Sequence, residues 1–164
     1  MRVLAILAFL FVIVPLLILA AGQFGFLSGR PPPLGVSNGR LQPPSRTPNS
    51  VSSQASLWRD GEYASTYAQI DALPVRGDAT SAISRLRALL TDWPGARIVE
   101  ERPDYLRVEF TTRWLRFVDD AEFWYDPASE RIQLRSASRL GRKDFAVNRE
   151  RIEAIRRRWT TAGT

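Results

Sequence analysis

The 164-residue sequence contains no cysteine and no histidine, and its 23 basic side chains are 22 arginines and a single lysine. Without thiol and imidazole groups, a cysteine nucleophile, a histidine general base, a Ser-His-Asp triad and a disulfide are all excluded. Zinc and copper sites built on thiolate or imidazole are excluded as well, so a bound metal ion would need oxygen ligands. We therefore predict that the protein uses no cofactor.

The positive charge is concentrated at the C-terminal end of the sequence. The net charge is +6, with 13 basic and 14 acidic side chains in residues 1–130 but 10 basic and 3 acidic ones in residues 131–164. A local excess of positive charge can attract anionic lipids, nucleic acid or acidic polymers. Solvated arginines on the exposed face of a helix would give the same pattern. Composition leaves both interpretations open.

An apolar run covers residues 3–22 and is preceded by Arg2. As a helix it is long enough to cross a hydrocarbon core of about 30 Å. A cleavable signal peptide is the alternative, since Ala20-Ala21-Gly22 offers a small-residue cleavage site. The apolar core of such signals is shorter, roughly 7–15 residues, and Phe24 continues the run beyond this site. We therefore predict that residues 1–22 form a retained membrane anchor.

Residues 23–47 are rich in proline, glycine and serine and contain few apolar residues to bury. This composition is typical of an extended linker, which we expect to lift a domain of residues 48–160 away from the membrane. Residues 161–164 form a short tail. Because the segment before the anchor is very short, we expect the domain to be translocated to the periplasmic or extracytoplasmic side of the cell envelope.

A helix and two strands are predicted between residues 78 and 112. Asp78 is a good N-terminal cap, and apolar residues recur behind it at helical spacing until Pro94-Gly95 ends the pattern. Strands are predicted at residues 96–101 and 105–112, the second with apolar side chains at alternate positions. Residues 62–70 are a weaker strand candidate.

A β-hairpin is predicted around Asp126-Pro127, which suits the start of a type I turn. A four-residue loop would place Asp126 opposite Arg131, Glu122 opposite Arg135 and Asp119 opposite Ser138. With the other elements, this hairpin predicts an α+β fold in which two helices pack on one face of an antiparallel sheet of four or five strands. The opposite sheet face, which includes Tyr105 and Trp124, is predicted to be left uncovered by the helices.

The last helix is predicted to begin after Asp144 as its N-terminal cap. Five residues follow at the spacing of one helical stripe, and one of them, Asn148, is polar. The stripe consists of Phe145, Asn148, Ile152, Ile155 and Trp159. A buried amide needs a hydrogen-bond partner, and the strand ends near Asp119 and Ser138 are where we expect it.

Eight polar residues are predicted to converge where the strand ends meet the start of the last helix. They are Arg116, Asp119, Arg135, Ser136, Ser138, Arg139, Asn148 and Arg151. Such a cluster is either a buried network that locks helix to sheet, or a site for a carboxylate, phosphate or sugar, or a catalytic site. Neighbouring strand residues point to opposite faces, so Asp119 and Asp120 cannot easily share a cation, and we predict no metal site.

Four blocks of sequence resemble a known family. They are Pro48-Asn49-Ser50-Val51-Ser52-Ser53-Gln54-Ala55, Phe117-Val118-Asp119-Asp120, Arg135-Ser136-Ala137-Ser138-Arg139 and Asn148-Arg149. In this order they are similar to the bacterial and plastid family called domain of unknown function 1499. The family usually has cysteine at the position of Ser50, so the resemblance implies no thiol chemistry here. It implies no activity and no role for any residue.

Anchor and polar cluster together predict a non-catalytic, membrane-anchored module that binds an anionic small molecule, a lipid or a protein partner. The alternative is a metal-independent hydrolase or isomerase, with Asp119 as the base and Arg139 stabilising developing negative charge. Nucleic-acid binding through the arginine-rich C-terminal region is a third interpretation. We do not expect it, because translocation would separate the domain from nucleic acid.

Overall fold

The computed structural model describes residues 2–58, 63 and 65–161. The helices in this part of the chain are α1 (Arg2–Gln23), α2 (Ser65–Ala68), α3 (Ala79–Thr91) and α4 (Val147–Thr161), with a 3-10 turn at Ala55–Leu57. The strands are β1 (Val36–Ser37), β2 (Arg40–Leu41), β3 (Ser50–Ser52), β4 (Leu73–Pro74), β5 (Ala96–Arg102), β6 (Tyr105–Thr111), β7 (Val118–Asp126) and β8 (Arg131–Ser138).

Helix α1 is apolar on all sides and contains Pro15. Its most apolar stretch of 18 residues has a mean hydropathy of 3.2, and none of that stretch is buried against the rest of the protein. A 22-residue helix rises about 33 Å at 1.5 Å per residue, which matches the thickness of a hydrocarbon core. By length and composition, α1 is therefore suited to cross a membrane. A signal sequence near the N-terminus would meet the same two criteria.

Six strands of the described chain form one antiparallel sheet. The order is β3-β8-β7-β6-β5, and β4 pairs with the other half of the β8 edge that β3 occupies. The predicted hairpin register is confirmed, with Asp126 opposite Arg131 and Asp119 opposite Ser138. The α+β class is confirmed too. The strand number exceeds the prediction because β3 and β4, at three and two residues, are too short to show alternation.

Helices α3 and α4 pack on the same face of the sheet, as predicted. The Asp78 side chain caps α3 by accepting a hydrogen bond from the Ser81 amide at 2.9 Å. The core between helices and sheet is built from buried apolar side chains of every layer. They include Ile83, Leu86 and Leu90 of α3, Ile152, Ile155 and Trp159 of α4, and Leu106, Val108, Phe110, Ala121, Phe123, Ile132 and Leu134 of the sheet.

Helix α4 begins later than the sequence predicts. Its first residue is Val147, because Phe145 and Ala146 adopt left-handed backbone conformations with φ of 53° and 67°. Asp144 still caps the helix, since its Oδ2 accepts a hydrogen bond from the Asn148 amide at 3.2 Å. Placing Phe145 on the buried stripe was wrong, because this side chain is 87% exposed. The other four stripe residues are buried.

The weaker strand candidate at residues 62–70 was also wrong where it can be compared. Ser65–Ala68 forms α2, and Gln69 makes an isolated bridge to Ser52. Glu62 lies outside the described residues. Tyr67 and Ile70 suggested a strand by their bulk, but a four-residue segment is too short for its periodicity to distinguish the two structures.

Residues 31–47 lie against the sheet face opposite the helices. Leu41 packs there on Tyr105 and Trp124, and all three side chains are buried. The Gly35 amide donates a hydrogen bond to Glu122 Oε1 at 2.6 Å. The sheet face that the helices leave open is therefore covered by the proline-rich segment, which composition alone had placed away from the domain.

Candidate functional site

The start of α4 is held by Asp144, a buried carboxylate. It accepts hydrogen bonds from the Tyr67 hydroxyl at 2.7 Å and from Asn148 Nδ2 at 3.0 Å. Burial by itself would raise the pKa of Asp144, but the hydrogen bonds from Tyr67 and Asn148 outweigh it and lower the pKa below its ordinary value. The carboxylate is thus stabilised in its charged form where helix and sheet meet.

Asn148 is the centre of a polar network between α4 and the sheet. Its Oδ1 accepts from Ser136 Oγ at 2.5 Å, and its Nδ2 donates to Ser138 Oγ at 3.0 Å. Arg151 Nη1 donates to the same Asn148 Oδ1 at 3.1 Å, and Arg151 Nη2 donates to Asp119 Oδ2 at 2.6 Å. We call these five residues the helix-side network. All five belong to the predicted cluster, so the structure does bring them together.

The helix-side network is suited to fix α4 on the sheet. Asp119 and Asn148 are buried, and each side chain of the network has at least one partner within it. Buried polar groups that are fully bonded rigidify a core, whereas a ligand site needs donors or acceptors that are open to solvent. The geometry therefore favours the structural interpretation of this half of the cluster.

Arg135 and Arg139 lie on the opposite sheet face, so the prediction that all eight residues converge was wrong. The reason is the alternation of a strand, since Arg135 and Ser136 are neighbours in β8 and point to opposite sides. Arg135 is buried, its Nε donates to Pro43 O at 3.0 Å, and its Nη1 lies 3.5 Å from Glu122 Oε2. Burial lowers the pKa of Arg135 and raises that of Glu122.

Arg139 binds two carboxylates on that face. It makes a two-pronged contact with Asp120, from Nε at 2.7 Å and from Nη2 at 2.8 Å, and Nη2 also lies 2.5 Å from Glu109 Oε1. Arg97 Nη2 contacts the other Glu109 oxygen at 2.5 Å. Burial would raise the pKa of Glu109, but the hydrogen bonds from Arg139 and Arg97 lower it. Asp119 lies on the other face, so the sheet separates it from Arg139. The base and the charge-stabilising residue predicted for a hydrolase or isomerase therefore do not share a site.

Arg116 stands apart from both groups, in the loop between β6 and β7. It is exposed, has a left-handed backbone with φ of 57°, and has no ion-pair partner among residues 2–58, 63 and 65–161. It lines an open pocket of about 410 Å³ beside the end of α1. The lining residues are Gly22, Gln23, Phe24, Gly25, Ser28, Arg97, Glu109, Thr111, Arg116, Val118 and Arg139. We call this the arginine pocket.

The arginine pocket can hold an anion. Three guanidinium groups line it against one carboxylate, Glu109. Arg97 is 71% exposed and donates a hydrogen bond from Nη2 to Glu109. Arg116 forms no ion pair with a carboxylate of the described residues. Guanidinium groups recognise phosphate and carboxylate oxygens by paired hydrogen bonds. A pocket of this size falls in the usual range of small-ligand sites, about 300–1,000 Å³.

A second concavity lies on the other side of the same sheet end. This groove of about 350 Å³ runs between the loop before β7 and the loop before α4, and most of its surface is apolar. Its apolar walls are Phe117, Val118, Leu140, Phe145 and Val147, and Asp119 and Ser138 lie at its base. The sequence does not predict this groove, because most of its walls come from loops or the first residue of an element, where apolar residues follow no period.

Comparison with known protein families identifies the family to which the sequence belongs. The model of the family described as "Protein of unknown function (DUF1499)" matches residues 40–158, well over half of the chain. The chain belongs to the DUF1499 family. No curated protein and no solved structure matches the chain. The resemblance found in the sequence blocks is thereby confirmed, and the DUF1499 match covers β2 to α4 without α1.

Within the DUF1499 domain, the helix-side network and Asn49 together connect all four sequence blocks. The Ser138 amide donates to Asn49 O at 3.0 Å, Asn49 Nδ2 donates to Gly141 O at 2.7 Å, and Asn148 Nδ2 reaches Asn49 O at 3.3 Å. Among the described residues no group of three or more carboxylates could hold a metal ion. Arg97 and Glu109 were not predicted as site residues, although their alternation with core residues placed both on the face opposite the helices.

Proposed function

We propose that this DUF1499 protein is a membrane-anchored, non-catalytic module that binds the anionic headgroup of a lipid in the arginine pocket. The observation that carries the proposal is the position of this pocket at the end of an apolar helix. Gly22, Gln23 and Phe24 line it, so it lies within one helical turn of the stretch that is suited to cross the bilayer. A headgroup is the anion that such a location supplies.

The charges of the pocket support this ligand. Glu109 accepts one hydrogen bond from Arg97 Nη2 and one from Arg139 Nη2, and Asp120 accepts from Nε and Nη2 of Arg139. Arg139 therefore contributes fixed charge, while Arg116 and the exposed Arg97 are the groups that a phosphate would contact directly. Basic side chains near a membrane surface each contribute about 1 kcal/mol to binding of anionic lipid.

The location of the domain is the second part of the proposal. We infer that α1 is retained and that the domain lies on the extracytoplasmic side, because long domains are translocated largely irrespective of their charge. A cysteine introduced at Ala128, in the exposed turn between β7 and β8, would be the only thiol in the chain. Labelling of this cysteine in intact cells by a membrane-impermeant maleimide is the expected result, and labelling only after lysis would place the domain inside.

The headgroup proposal is tested by titrating the full-length chain in detergent micelles with short-chain phosphatidylglycerol and phosphatidylcholine. Arg116→Gly removes the charge and suits the left-handed backbone at this position, so the fold should not suffer. Arg113→Ala is the matched control, since it removes one charge from the same loop but does not line the pocket. Isothermal titration calorimetry gives the affinity of each variant.

We expect phosphatidylglycerol to bind the parent and Arg113→Ala more tightly than phosphatidylcholine. Loss of a direct hydrogen bond to a charged group costs about 1.5–3 kcal/mol, so Arg116→Gly should weaken phosphatidylglycerol binding at least about tenfold. Equal losses in Arg116→Gly and Arg113→Ala would show only a general surface attraction. Equal affinities for the two lipids in the parent would refute headgroup recognition.

A further inference from the structure

The end of the domain nearest α1 exposes an unusual amount of apolar surface. Trp114 is 62% exposed in the β6–β7 loop, and Phe145 is 87% exposed in the β8–α4 loop. Phe117, Leu140 and Val147 are exposed beside them and form the walls of the apolar groove. We call this surface the loop end. A soluble protein surface seldom displays contiguous aromatic and aliphatic side chains unless they contact a partner or a membrane.

The loop end is continuous with the C-terminal end of α1. Gln23 Nε2 donates a hydrogen bond to Trp114 O at 2.8 Å, and Gly22 is so close that an added Cβ would lie 2.5 Å from Leu115 O. On the other loop, a Cβ at Gly29 would lie 2.8 Å from the Cβ of Arg139 and 3.0 Å from Leu140 Cγ. Both loops are thus fixed beside the point where α1 ends.

The exposure of Phe145 is built into the backbone. Phe145 and the next residue, Ala146, both have left-handed φ values, which are rare for residues other than glycine, asparagine and aspartate. The Asp144 side chain supports this conformation by accepting a hydrogen bond from the Ala146 amide at 3.2 Å. Two consecutive unfavourable conformations therefore hold a phenylalanine ring away from the core, and strain of this kind is often found at functional positions.

The charges at the loop end identify its partner. Arg113 and Arg116 are exposed in one loop, and Arg142 and Lys143 are exposed in the other. Two acids line the groove, but both are buried and bonded, Asp119 to Arg151 and Asp144 to Tyr67. Aromatic side chains flanked by lysine and arginine are typical of segments that lie at the boundary between headgroups and acyl chains. A bilayer with anionic lipids matches this combination of apolar and positive surface.

We propose that the loop end is a second membrane contact, in which Trp114 and Phe145 enter the bilayer beside α1 and the apolar groove receives an acyl chain. This inference rests on the proposed membrane anchor but not on headgroup binding, since none of the groove walls except Val118 belongs to the arginine pocket. The domain then sits on the membrane with its β7–β8 turn pointing away from it. Residues 118–126 extend about 30 Å along the strand, so that turn stands well clear of the lipid.

The absence of native cysteine makes a direct test possible. Phe145→Cys and Ala128→Cys, each carrying a nitroxide, place one label at the loop end and one at the opposite end of the hairpin in the full-length chain. Both positions are exposed, so neither change should disturb the fold. The chain is reconstituted in nanodiscs of phosphatidylcholine with phosphatidylglycerol, and collision of each label with oxygen and with a water-soluble nickel chelate is measured by electron paramagnetic resonance.

We expect the label at position 145 to collide more with oxygen than with the nickel chelate, and the label at position 128 to show the reverse. Water-like accessibility at both positions would overturn the proposal. A label at position 145 shielded from both reagents would overturn it as well, because that result indicates a protein contact instead of lipid. Equal affinities of the parent for phosphatidylglycerol and phosphatidylcholine, found together with a lipid-immersed label at position 145, would refute headgroup recognition alone, so the two proposals fail separately.

Discussion

Asn148 is the single residue that connects most of the polar groups between α4 and the sheet. Its carbonyl oxygen accepts from Ser136 and Arg151, and its amide nitrogen donates to Ser138. Arg151 in turn donates to the carboxylate of Asp119. The amide of this side chain offers two N–H donors and a carbonyl acceptor at the same point. The side chain therefore matters for stability, although it contacts neither the arginine pocket nor the groove.

Asn148→Ala should destabilise the domain by about 2–3 kcal/mol, because it leaves the buried Ser136 hydroxyl without its acceptor and removes one hydrogen bond from Arg151. The measurement is the free energy of unfolding of the full-length chain in detergent micelles, from urea titration followed by circular dichroism. Arg157→Ala, on the exposed face of the same helix, is the control and should change stability by less than about 0.5 kcal/mol. Equal effects of the two variants would contradict a structural role of the helix-side network.

The buried pair of Glu122 and Arg135 gives a second prediction for single residues. Glu122→Gln should cost about 3–5 kcal/mol, because it leaves the guanidinium of Arg135 buried without its counter-charge. In Glu122→Gln, the glutamine oxygen can still accept from the Gly35 amide and the Tyr105 hydroxyl. Adding Arg135→Met then removes the unpaired guanidinium, so this double variant should cost less than the single change. The same urea titration compares them, and a double variant that is less stable than Glu122→Gln would contradict this account.

Asp144 gives stability a defined dependence on pH. Its folded pKa lies below the ordinary value of 3.8, so it stabilises the fold above pH 3.8, and this contribution disappears as the pH falls through the folded pKa. Burial raises the pKa of Glu122. The contribution of Glu122 to stability therefore falls as the pH rises from the ordinary pKa of a glutamate towards the folded pKa. The difference in melting temperature between the parent and Asp144→Asn isolates Asp144. That difference should be largest near neutral pH and shrink in acid, and a constant difference would argue against the capping role.

At the scale of elements, the long strands were predictable and the short ones were not. The alternation in β6 and the turn at Asp126-Pro127 determine the hairpin register, because a shift by one residue would turn Phe123 and Leu134 away from the core between the sheet and the helices. The two- and three-residue strands β3 and β4 carry no such pattern. Their positions depend on which edge of β8 remains unpaired, which only the assembled sheet shows.

The sequence likewise predicted only part of the candidate site. The buried amide on the α4 stripe led to Asn148 and its partners, since a polar group facing a core must be bonded. The prediction then combined both faces of β8 into one cluster, although the strand period separates Arg135 from Ser136. The covering of that second face by residues 31–47 depends on contacts such as the one between Gly35 and Glu122, which composition does not reveal.

The junction between α1 and the domain makes a prediction at this scale. Gly22→Val would bring side-chain atoms into the backbone of Leu115, so the end of α1 must move away from the β6–β7 loop. Nitroxides at Leu10→Cys and Ala128→Cys, both exposed, report the arrangement by double electron–electron resonance in nanodiscs. We expect a narrow distance distribution in the parent and in Ala8→Val, an exposed control in the same helix, and a broad one in Gly22→Val. A distribution that stays narrow in Gly22→Val would contradict the close contact between Gly22 and Leu115, and a broad distribution in the parent would mean that the junction is not rigid in the membrane.

For the whole molecule, the sheet has one end that meets the apolar helix α1 and one that does not. The arginine pocket and the apolar groove lie on opposite faces of the sheet at the same end, with Val118 in the lining of both. A lipid could therefore present its headgroup to one side of this end while neighbouring acyl chains contact the other. Under the proposed function, both lipid-binding surfaces would then lie beside α1.

Photo-crosslinking tests the headgroup claim most directly. The full-length chain in nanodiscs is irradiated with an anionic phospholipid that carries a diazirine on its headgroup, and adducts are located by mass spectrometry. We expect adducts on the lining of the arginine pocket, within residues 22–28 and at Arg97 or Arg116, with far fewer from a zwitterionic probe. Adducts spread evenly over the domain, or equal labelling by the two probes, would contradict recognition of an anionic headgroup at this site.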